Sequence, residues 1–139
     1  MSIMQVEVVS SEQKIYSGEA TFIVVPTQGE LGIYPRHEPI MSLVRPGALR
    51  LTVPGEDKEV LVAVSGGVLE VQPDKVTVLA DVAVRSAEMD RARAEEAKKA
   101  AEAGISQAKD DKALAEAHKV LAAAIAQLKT LDYIRSHKK

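Results

Sequence analysis

The amino-acid sequence predicts a β + α fold, with an all-β unit in residues 1–85 and an all-α unit in residues 86–139. All six Pro, seven of the eight Gly and every Val except Val120 lie in the first segment, whereas the second is rich in Ala. Val suits a pleated sheet because its branched side chain packs well there, and Ala has the highest helix propensity. The charge divides in the same way, since the first segment is acidic and the second is basic.

Eight strands are predicted in the first segment from alternating apolar residues bounded by Gly and Pro. They cover residues 3–9, 20–26, 32–34, 39–44, 47–53, 59–65, 67–72 and 75–80. Their short spacing favours a sandwich or a small barrel and leaves no room for a crossover helix. The apolar runs 60–64 and 76–80 are expected to be central strands. Ser65-Gly66-Gly67 predicts a turn between strands rather than a phosphate-binding nest, because no helix follows it.

Two helices are predicted in the second segment. The first is expected over residues 86–103, with Ser86 as its N-cap and Gly104 at its C-terminal end. The second is expected to begin at Asp110-Asp111 and to run to about Arg135, where basic residues suit the negative end of the helix dipole. The short connection between them favours an antiparallel helical hairpin.

The second helix carries an apolar seam at coiled-coil spacing. Its members are Leu114, Leu121 and Leu128 in one row, Ala117, Ala124 and Leu131 in the companion row, and Ile125 beside them. The first helix offers mostly Ala to this seam, so the interface between the helices is thin. We therefore expect the helical hairpin to be weakly held and able to take other partners.

Composition argues against several classes of function. The net charge is −2 and aromatic residues make up 3%, whereas nucleic-acid binders usually carry a basic excess. Cys is absent, which excludes a disulfide framework and a thiol nucleophile. The sequence has no phosphate-loop, nucleophile-elbow or zinc-binding motif, and its three His are far apart. We expect neither catalysis nor a metal site, in an intracellular chain without a membrane-spanning segment or a signal peptide.

Three motifs in a fixed order resemble one protein family. Residues 29–39 (GELGIYPRHEP) resemble a GELGI-PGHAPL loop, and residues 64–71 (VSGGVLEV) resemble a V-SGG-LEV turn. Residues 76–81 (VTVLAD) follow at the expected distance, and residues 6–10 also fit. Over nearly its whole length the chain is similar to the epsilon subunit family of bacterial F-type ATP synthases.

The resemblance implies a fold and a role. The fold is a flattened β-sandwich of about ten strands over residues 1–85, followed by an antiparallel two-helix hairpin over residues 86–139. The role is that of a non-catalytic rotor subunit of the central stalk, bound to the gamma subunit and the c-ring at the cytoplasmic face of the inner membrane. In this family the helices fold onto the sandwich, or extend into the catalytic alpha/beta hexamer and inhibit ATP hydrolysis.

The resemblance also implies contact residues. The loop expected to face the c-ring and the gamma subunit contributes Glu30, Leu31, Gly32, Ile33 and His37, of which Leu31 and Ile33 are expected to be exposed. Arg36 stands where the family has Gly, so it is strained if the position needs a positive φ, and otherwise adds a charge. At the C-terminus Arg135, Lys138 and Lys139 are expected to contact the catalytic subunits. A structural loop and a simple match to the helix dipole are the alternatives.

A nucleotide motif is the last implied feature. Residues 89–94 are similar to the [IL]-D-x-x-R-A motif with which some members bind ATP, which implies roles for Met89, Asp90, Arg93 and Ala94. Helix capping is the alternative for Asp90. Val84 replaces the Glu of strong binders, and Ala123 and Gln127 replace their Arg residues, so phosphate recognition is weakened. We expect weak or absent ATP binding and no required cofactor. The alternative function is a free-standing nucleotide sensor that does not associate with gamma.

Overall fold

A computed structural model describes residues 2–11 and 13–136, which form ten strands followed by two helices. The strands are β1 (Met4–Val9), β2 (Lys14–Ala20), β3 (Phe22–Pro26), β4 (Glu30–Ile33), β5 (Ile40–Val44), β6 (Gly47–Thr52), β7 (Val60–Val64), β8 (Gly67–Val71), β9 (Lys75–Ala80) and β10 (Ala83–Arg85). The helices are α1 (Arg91–Gln107) and α2 (Asp111–Ser136). None of the described helices is long and apolar enough to cross a bilayer.

The strands form two five-stranded sheets that pack face to face. The first sheet has the order β2-β1-β9-β8-β5, and the second has the order β10-β7-β6-β3-β4. All neighbouring strands in both sheets are antiparallel except β1 and β9, which are parallel. The predicted β-sandwich followed by a helical hairpin is confirmed.

The core lies between the two sheets. Alternate residues point inward, as in β1, where Met4, Val6 and Val8 are buried and their neighbours are partly exposed. The largest fully buried side chains are Ile23, Ile33, Leu49, Leu51, Leu69, Val6, Val8, Val25, Val62, Val64, Val71 and Val76. Each such side chain contributes about 1.5–3 kcal/mol through burial, so the sandwich has a hydrophobic core of its own.

Two strands were missing from the sequence prediction. Both β2 and β10 lie at a sheet edge, where a strand is partly exposed and its apolar pattern is weak. β9 and β7, which were both predicted to be central, each have a hydrogen-bonded neighbour on both sides. β9 is the middle strand of its sheet, and β7 is second from an edge. The apolar run of β7 is uninterrupted because both faces of this strand are covered, one by the core and the other by α2.

The turn at Gly66-Gly67 is confirmed as a connection between strands β7 and β8. Both glycines have positive φ, 129° and 148°. A Cβ at Gly67 would lie 2.0 Å from the carbonyl oxygen of Leu79 on the neighbouring strand. Strands β8 and β9 can therefore approach this closely only because Gly67 has no side chain.

The first helix begins later than predicted. Residues 86–88 form a single 3₁₀ turn, and α1 is capped by Asp90, whose carboxylate accepts a hydrogen bond from the Arg93 N–H at 3.2 Å. The predicted cap at Ser86 is thus wrong. Gly104 lies inside α1 and does not end it. A Cβ at Gly104 would be 3.4 Å from Cβ of Ala117, so this glycine allows close approach of the two helices.

Helix α2 starts near the predicted position and lies on the outer face of the second sheet, across β6 and β7. The carboxylate of Asp110 accepts a hydrogen bond from the Ala113 N–H at 2.7 Å and caps the helix. The predicted Leu seam is only half-buried. The fully covered positions are the small residues Ala124, Ala126 and Thr130, because α2 packs against both α1 and the sheet.

Candidate functional site

The side chains exposed in the segment of residues 30–37 differ from those predicted. Ile33 is fully buried and Leu31 is half-buried against the core, so the expected exposure of both residues is wrong. In β4 these two residues point inward because residues two apart share one face of a strand. Glu30 and Gly32 point outward and are exposed. The large exposed side chain nearby is Tyr34, which stacks on Phe22 with the ring centroids 4.4 Å apart.

His37 and Arg36 lie beyond the end of β4. His37 is half-buried, and its Nδ1 lies 2.7 Å from the carbonyl oxygen of Glu38. Arg36 has a φ of 69°, the positive value that the resemblance to a Gly position suggested, and its N–H donates to the carbonyl of Pro73 at 2.7 Å. A non-Gly residue in this region carries backbone strain.

Replacing this arginine by glycine should therefore stabilise the fold. We expect Arg36→Gly to raise the free energy of unfolding by about 0.5–1 kcal/mol, because relief of strain exceeds the added entropy of the unfolded chain. Urea denaturation measures the change. Gly55→Ala is the matched control, and it should lower the free energy of unfolding. Gly55 has a φ of 81° and no atom within 4 Å of its Cβ position, so an added side chain introduces backbone strain and no clash. Equal or lower stability of Arg36→Gly would contradict the assignment of strain.

The predicted nucleotide residues are only partly brought together. Arg93 and Ala94 line an apolar cavity of about 360 Å³ between the helices and Val82, with Lys119 and Gln127 on the opposite side. Met89 and Asp90 do not line it, and the Asp90 carboxylate is used to cap α1. The cavity offers two cations, Arg93 and Lys119, and one acidic side chain, Glu116. Weak or absent ATP binding stays a prediction.

Of the predicted C-terminal contacts, Arg135 alone lies within the described residues. It is exposed near the end of α2, 3.9 Å from the carboxylate of Asp132. Lys138 and Lys139 lie outside the part of the chain that the structure describes. The described residues contain no group of three or more His, Asp or Glu side chains placed to hold a metal ion.

A polar contact that the sequence did not reveal holds α2 to the sandwich. The Tyr133 hydroxyl donates a 2.5 Å hydrogen bond to Glu59, and the Arg50 guanidinium lies over the Tyr133 ring at 4.8 Å. Arg50 also donates to Glu30 at 3.4 Å. We call Glu30, Arg50, Glu59 and Tyr133 the clasp. Partial burial and the bond to Glu59 raise the pKa of Tyr133 above its ordinary value, which extends the range of alkaline pH over which the phenol stays a donor.

A second polar contact joins the two helices to each other. Arg91 at the start of α1 donates to the carboxylate of Asp132 near the end of α2 at 2.6 Å. The same guanidinium lies 3.6 Å from Glu95. The bond to Asp132 raises the pKa of Arg91 above its ordinary value. These groups are exposed, so the pair fixes the register of the helices more than it adds stability.

An apolar stripe crosses the outer face of the first sheet, on the side away from the helices. Leu43, Val68, Leu79 and Val9 lie opposite one another on the successive strands β5, β8, β9 and β1. Leu43 is 75% exposed and Leu79 is 54% exposed, and Met41, two residues from Leu43, is 71% exposed. Exposed apolar side chains that lie next to one another in this way make the stripe a candidate interaction surface.

Both parts of the chain match models of one protein family. Residues 3–86 match the family described as ATP synthase, Delta/Epsilon chain, beta-sandwich domain. Residues 87–132 match the ATP synthase, Delta/Epsilon chain, long alpha-helix domain. The chain belongs to the ATP synthase delta/epsilon family.

Individual members of the delta/epsilon family are similar over the whole chain. The ATP synthase epsilon chain of Neisseria meningitidis serogroup B is 99% identical, with 100% of both chains covered. The epsilon chain of Laribacter hongkongensis is 62% identical over 97% of each chain, and that of Halorhodospira halophila is 46% identical over 100% of this chain and 99% of the relative. The resemblance to the epsilon subunit, and with it an association with ATP synthesis and ion transport, is confirmed.

Two solved structures share the fold at low sequence identity. A chain in the Euglena gracilis mitochondrial ATP synthase (OSCP/F1/c-ring, rotational state 1) aligns with a TM-score of 0.73 at 22% identity, covering 94% of this chain and 82% of that one. A chain in the Tetrahymena thermophila ATP synthase central stalk and c-ring aligns with a TM-score of 0.53 at 15% identity, covering 88% and 93%. The fold of the sandwich followed by helices therefore also occurs in chains of solved ATP synthase assemblies.

Proposed function

We propose that the chain is a non-catalytic rotor subunit of the F-type ATP synthase, which joins the gamma subunit to the c-ring in the central stalk. The apolar stripe on the first sheet carries this proposal. Covering a large apolar side chain stabilises a complex by about 1.5–3 kcal/mol. Leu43 and Leu79 of the stripe, with Met41 beside them, can therefore form a durable contact without any active site. A rotor part needs contacts of this kind and no reacting groups.

The two outer faces of the sandwich support this arrangement. The second sheet is covered by the chain's own helix α2, whereas the first sheet leaves Met41, Leu43 and Leu79 open. We assign the open face to the gamma subunit. The exposed groups Glu30, Gly32 and Tyr34, together with the half-buried Leu31 and His37, face the c-ring in this proposal. The buried Ile33 acts only by holding the loop in place.

The helices supply the regulatory part of the proposal. In the structure α2 rests on the sandwich, held there by the clasp, and the Arg91–Asp132 pair joins α1 to α2. These polar contacts and the small apolar contact of α2 with β6 and β7 are limited in extent, so a partner that binds α2 more strongly displaces it. In the extended arrangement Arg135, together with Lys138 and Lys139, contacts the catalytic alpha/beta hexamer and inhibits ATP hydrolysis. The complex holds the chain peripherally at the cytoplasmic face of the inner membrane, with no nucleic acid as partner and no cofactor required.

Removing the helices tests the regulatory part. We expect the complex reconstituted with a chain that ends after Arg85 to hydrolyse ATP at least about threefold faster than the complex with the full chain, a barrier difference of about 0.7 kcal/mol. Steady-state ATP hydrolysis measures the rate. Co-purification of the shortened chain with gamma is the control that the sandwich still binds. Equal rates in the two complexes would reject the inhibitory role of the helices.

The second candidate function is a free-standing nucleotide sensor, favoured by the cavity that Arg93, Lys119 and Gln127 line. The two functions differ in their partners. A rotor subunit co-purifies with gamma, and replacing residues of the apolar stripe prevents this. A sensor binds ATP tightly as an isolated chain and is recovered without gamma. Tight calorimetric binding of ATP by the isolated chain would contradict the expected weak affinity.

A further inference from the structure

A cavity of about 390 Å³ lies where the end of α2 crosses the sandwich. Its floor and walls come from the turn between β3 and β4, from the connection between β5 and β6, and from one face of α2. The polar side chains that line it are Thr27, Gln28, Glu30, Arg45, Arg50, Lys129 and Tyr133. It is separate from the cavity lined by Arg93 and Ala94, with which it shares no residue.

The charges around this cavity are strongly one-sided. Arg45, Arg50 and Lys129 are basic, and the one carboxylate in the lining, Glu30, is already paired with Arg50 at 3.4 Å. Arg45 and Lys129 make no ion pair with any described residue. Like charges gathered at one site repel one another, and an anion placed between them removes that repulsion.

The backbone holds these groups in place. The Arg45 N–H donates to the carbonyl of Pro26 at 2.9 Å, which ties the β5–β6 connection to the end of β3. Lys129 lies one helical turn before Tyr133, whose ring and hydroxyl are held by Arg50 and Glu59 of the clasp. The clasp thus holds this part of α2 against the sandwich, where Lys129 lines the same cavity as Arg45. A guanidinium and an ammonium from two different elements are a common arrangement for binding a phosphate group.

We propose that this cavity binds a phosphate group between Arg45 of the sandwich and Lys129 of α2. The group comes either from inorganic phosphate or from the phosphate chain of a nucleotide. Because the two cations come together only while α2 rests on the sandwich, the ligand binds the docked arrangement and stabilises it. The proposal concerns the isolated chain and does not depend on its attachment to the central stalk.

Titration of the full-length chain tests the proposal. Inorganic phosphate and ATP are each added at constant ionic strength, and binding is followed by calorimetry and by the shift of the melting temperature. We expect saturable binding of at least one of them with a Kd of about 1 mM or below, the range of a few charge-assisted contacts. Arg45→Ala and Lys129→Ala should each weaken this binding about tenfold.

The controls separate the site from general electrostatics. Lys112→Ala removes an exposed cation from the same helix, outside the cavity, and should leave the Kd unchanged. Far-ultraviolet circular dichroism checks that each variant keeps its helices. Binding of ATP that weakens in Arg45→Ala makes a nucleotide the source of the phosphate, and binding of inorganic phosphate alone makes it the free anion. Absence of saturation with both ligands, or equal affinity in Arg45→Ala, Lys129→Ala and the unaltered chain, would overturn the proposal.

Discussion

Gly67→Ala is expected to lower the free energy of unfolding by about 4 kcal/mol or more, which is most of the stability of many domains of this size. The added Cβ would lie 2.0 Å from the Leu79 carbonyl oxygen and 2.9 Å from Cα of Ala80. Both are backbone atoms of β9, which is hydrogen-bonded on both sides and cannot move aside without breaking the first sheet. The φ of 148° adds strain for any residue with a side chain. Urea denaturation followed by circular dichroism measures the loss.

Gly29→Ala is the matched control for this variant. Gly29 also lies in a connection between strands, but no atom lies within 4 Å of its Cβ position and its φ is not positive. We expect its stability to change by less than about 0.5 kcal/mol. If Gly67→Ala were as stable as Gly29→Ala, β8 and β9 would not approach as closely as the structure shows.

The double variant Leu43→Glu, Leu79→Glu is expected to weaken binding to the gamma subunit at least about 100-fold. Each substitution removes an apolar contact of about 1.5–3 kcal/mol and places a carboxylate where the partner covers it. Together they exceed the 2.7 kcal/mol or so that corresponds to a factor of 100. The loss is measured by co-purification with gamma and by the Kd of the purified subunits.

Two measurements show whether that loss comes from the stripe. Both side chains are exposed, so the melting temperature of the isolated double variant should stay close to that of the unaltered chain. Val120→Glu is the control, because Val120 is an apolar residue exposed to 43% on α2, away from the stripe. Unchanged co-purification of the double variant would place the gamma contact elsewhere on the chain.

Most of the architecture follows from local sequence patterns. The order of strands before helices, the limits of β9 and the start of α2 are all visible in the spacing of apolar residues and in the capping residues. The Gly66-Gly67 turn was predicted for the same reason, since two adjacent glycines between apolar runs seldom have another use. The edge strands β2 and β10 were missed because pairing with a neighbour, rather than their own composition, keeps them extended.

The start of α1 depended on a contact distant in the sequence. Ser86 and Asp90 are both good N-caps, and the sequence alone favours the first of them. In the structure β10 pairs with β7 up to Arg85, so the chain leaves the sheet before it can form a regular helix. Gly104 was misassigned for a similar reason. A glycine in a helical segment can end the helix or admit a neighbouring one, and the second role shows only when Ala117 is seen beside it.

The candidate sites were less predictable than the fold. The sequence motif defined the loop expected to make contacts, but it did not show which side chains are exposed, because the alternation of β4 turns Ile33 inward and leaves Tyr34 outside. The clasp gave no signal in the sequence, since Tyr133 and Glu59 are 74 residues apart. The apolar stripe depends on which strands are neighbours, and patterns within each strand do not show that β5 pairs with β8 or β1 with β9.

The apolar residues that α2 covers on β7 determine how firmly the helix stays on the sandwich. Leu61 and Ala63 are buried on the outer face of β7, which α2 contacts. Wetting the leucine and its neighbours would cost roughly 2–3 kcal/mol, so a chain alone in water keeps α2 in place more than about 95% of the time. In the proposed function, the departure of α2 then needs a compensating surface on a neighbouring subunit. The equilibrium between the docked and the displaced positions of α2 thus depends on whether the chain is assembled with its partners.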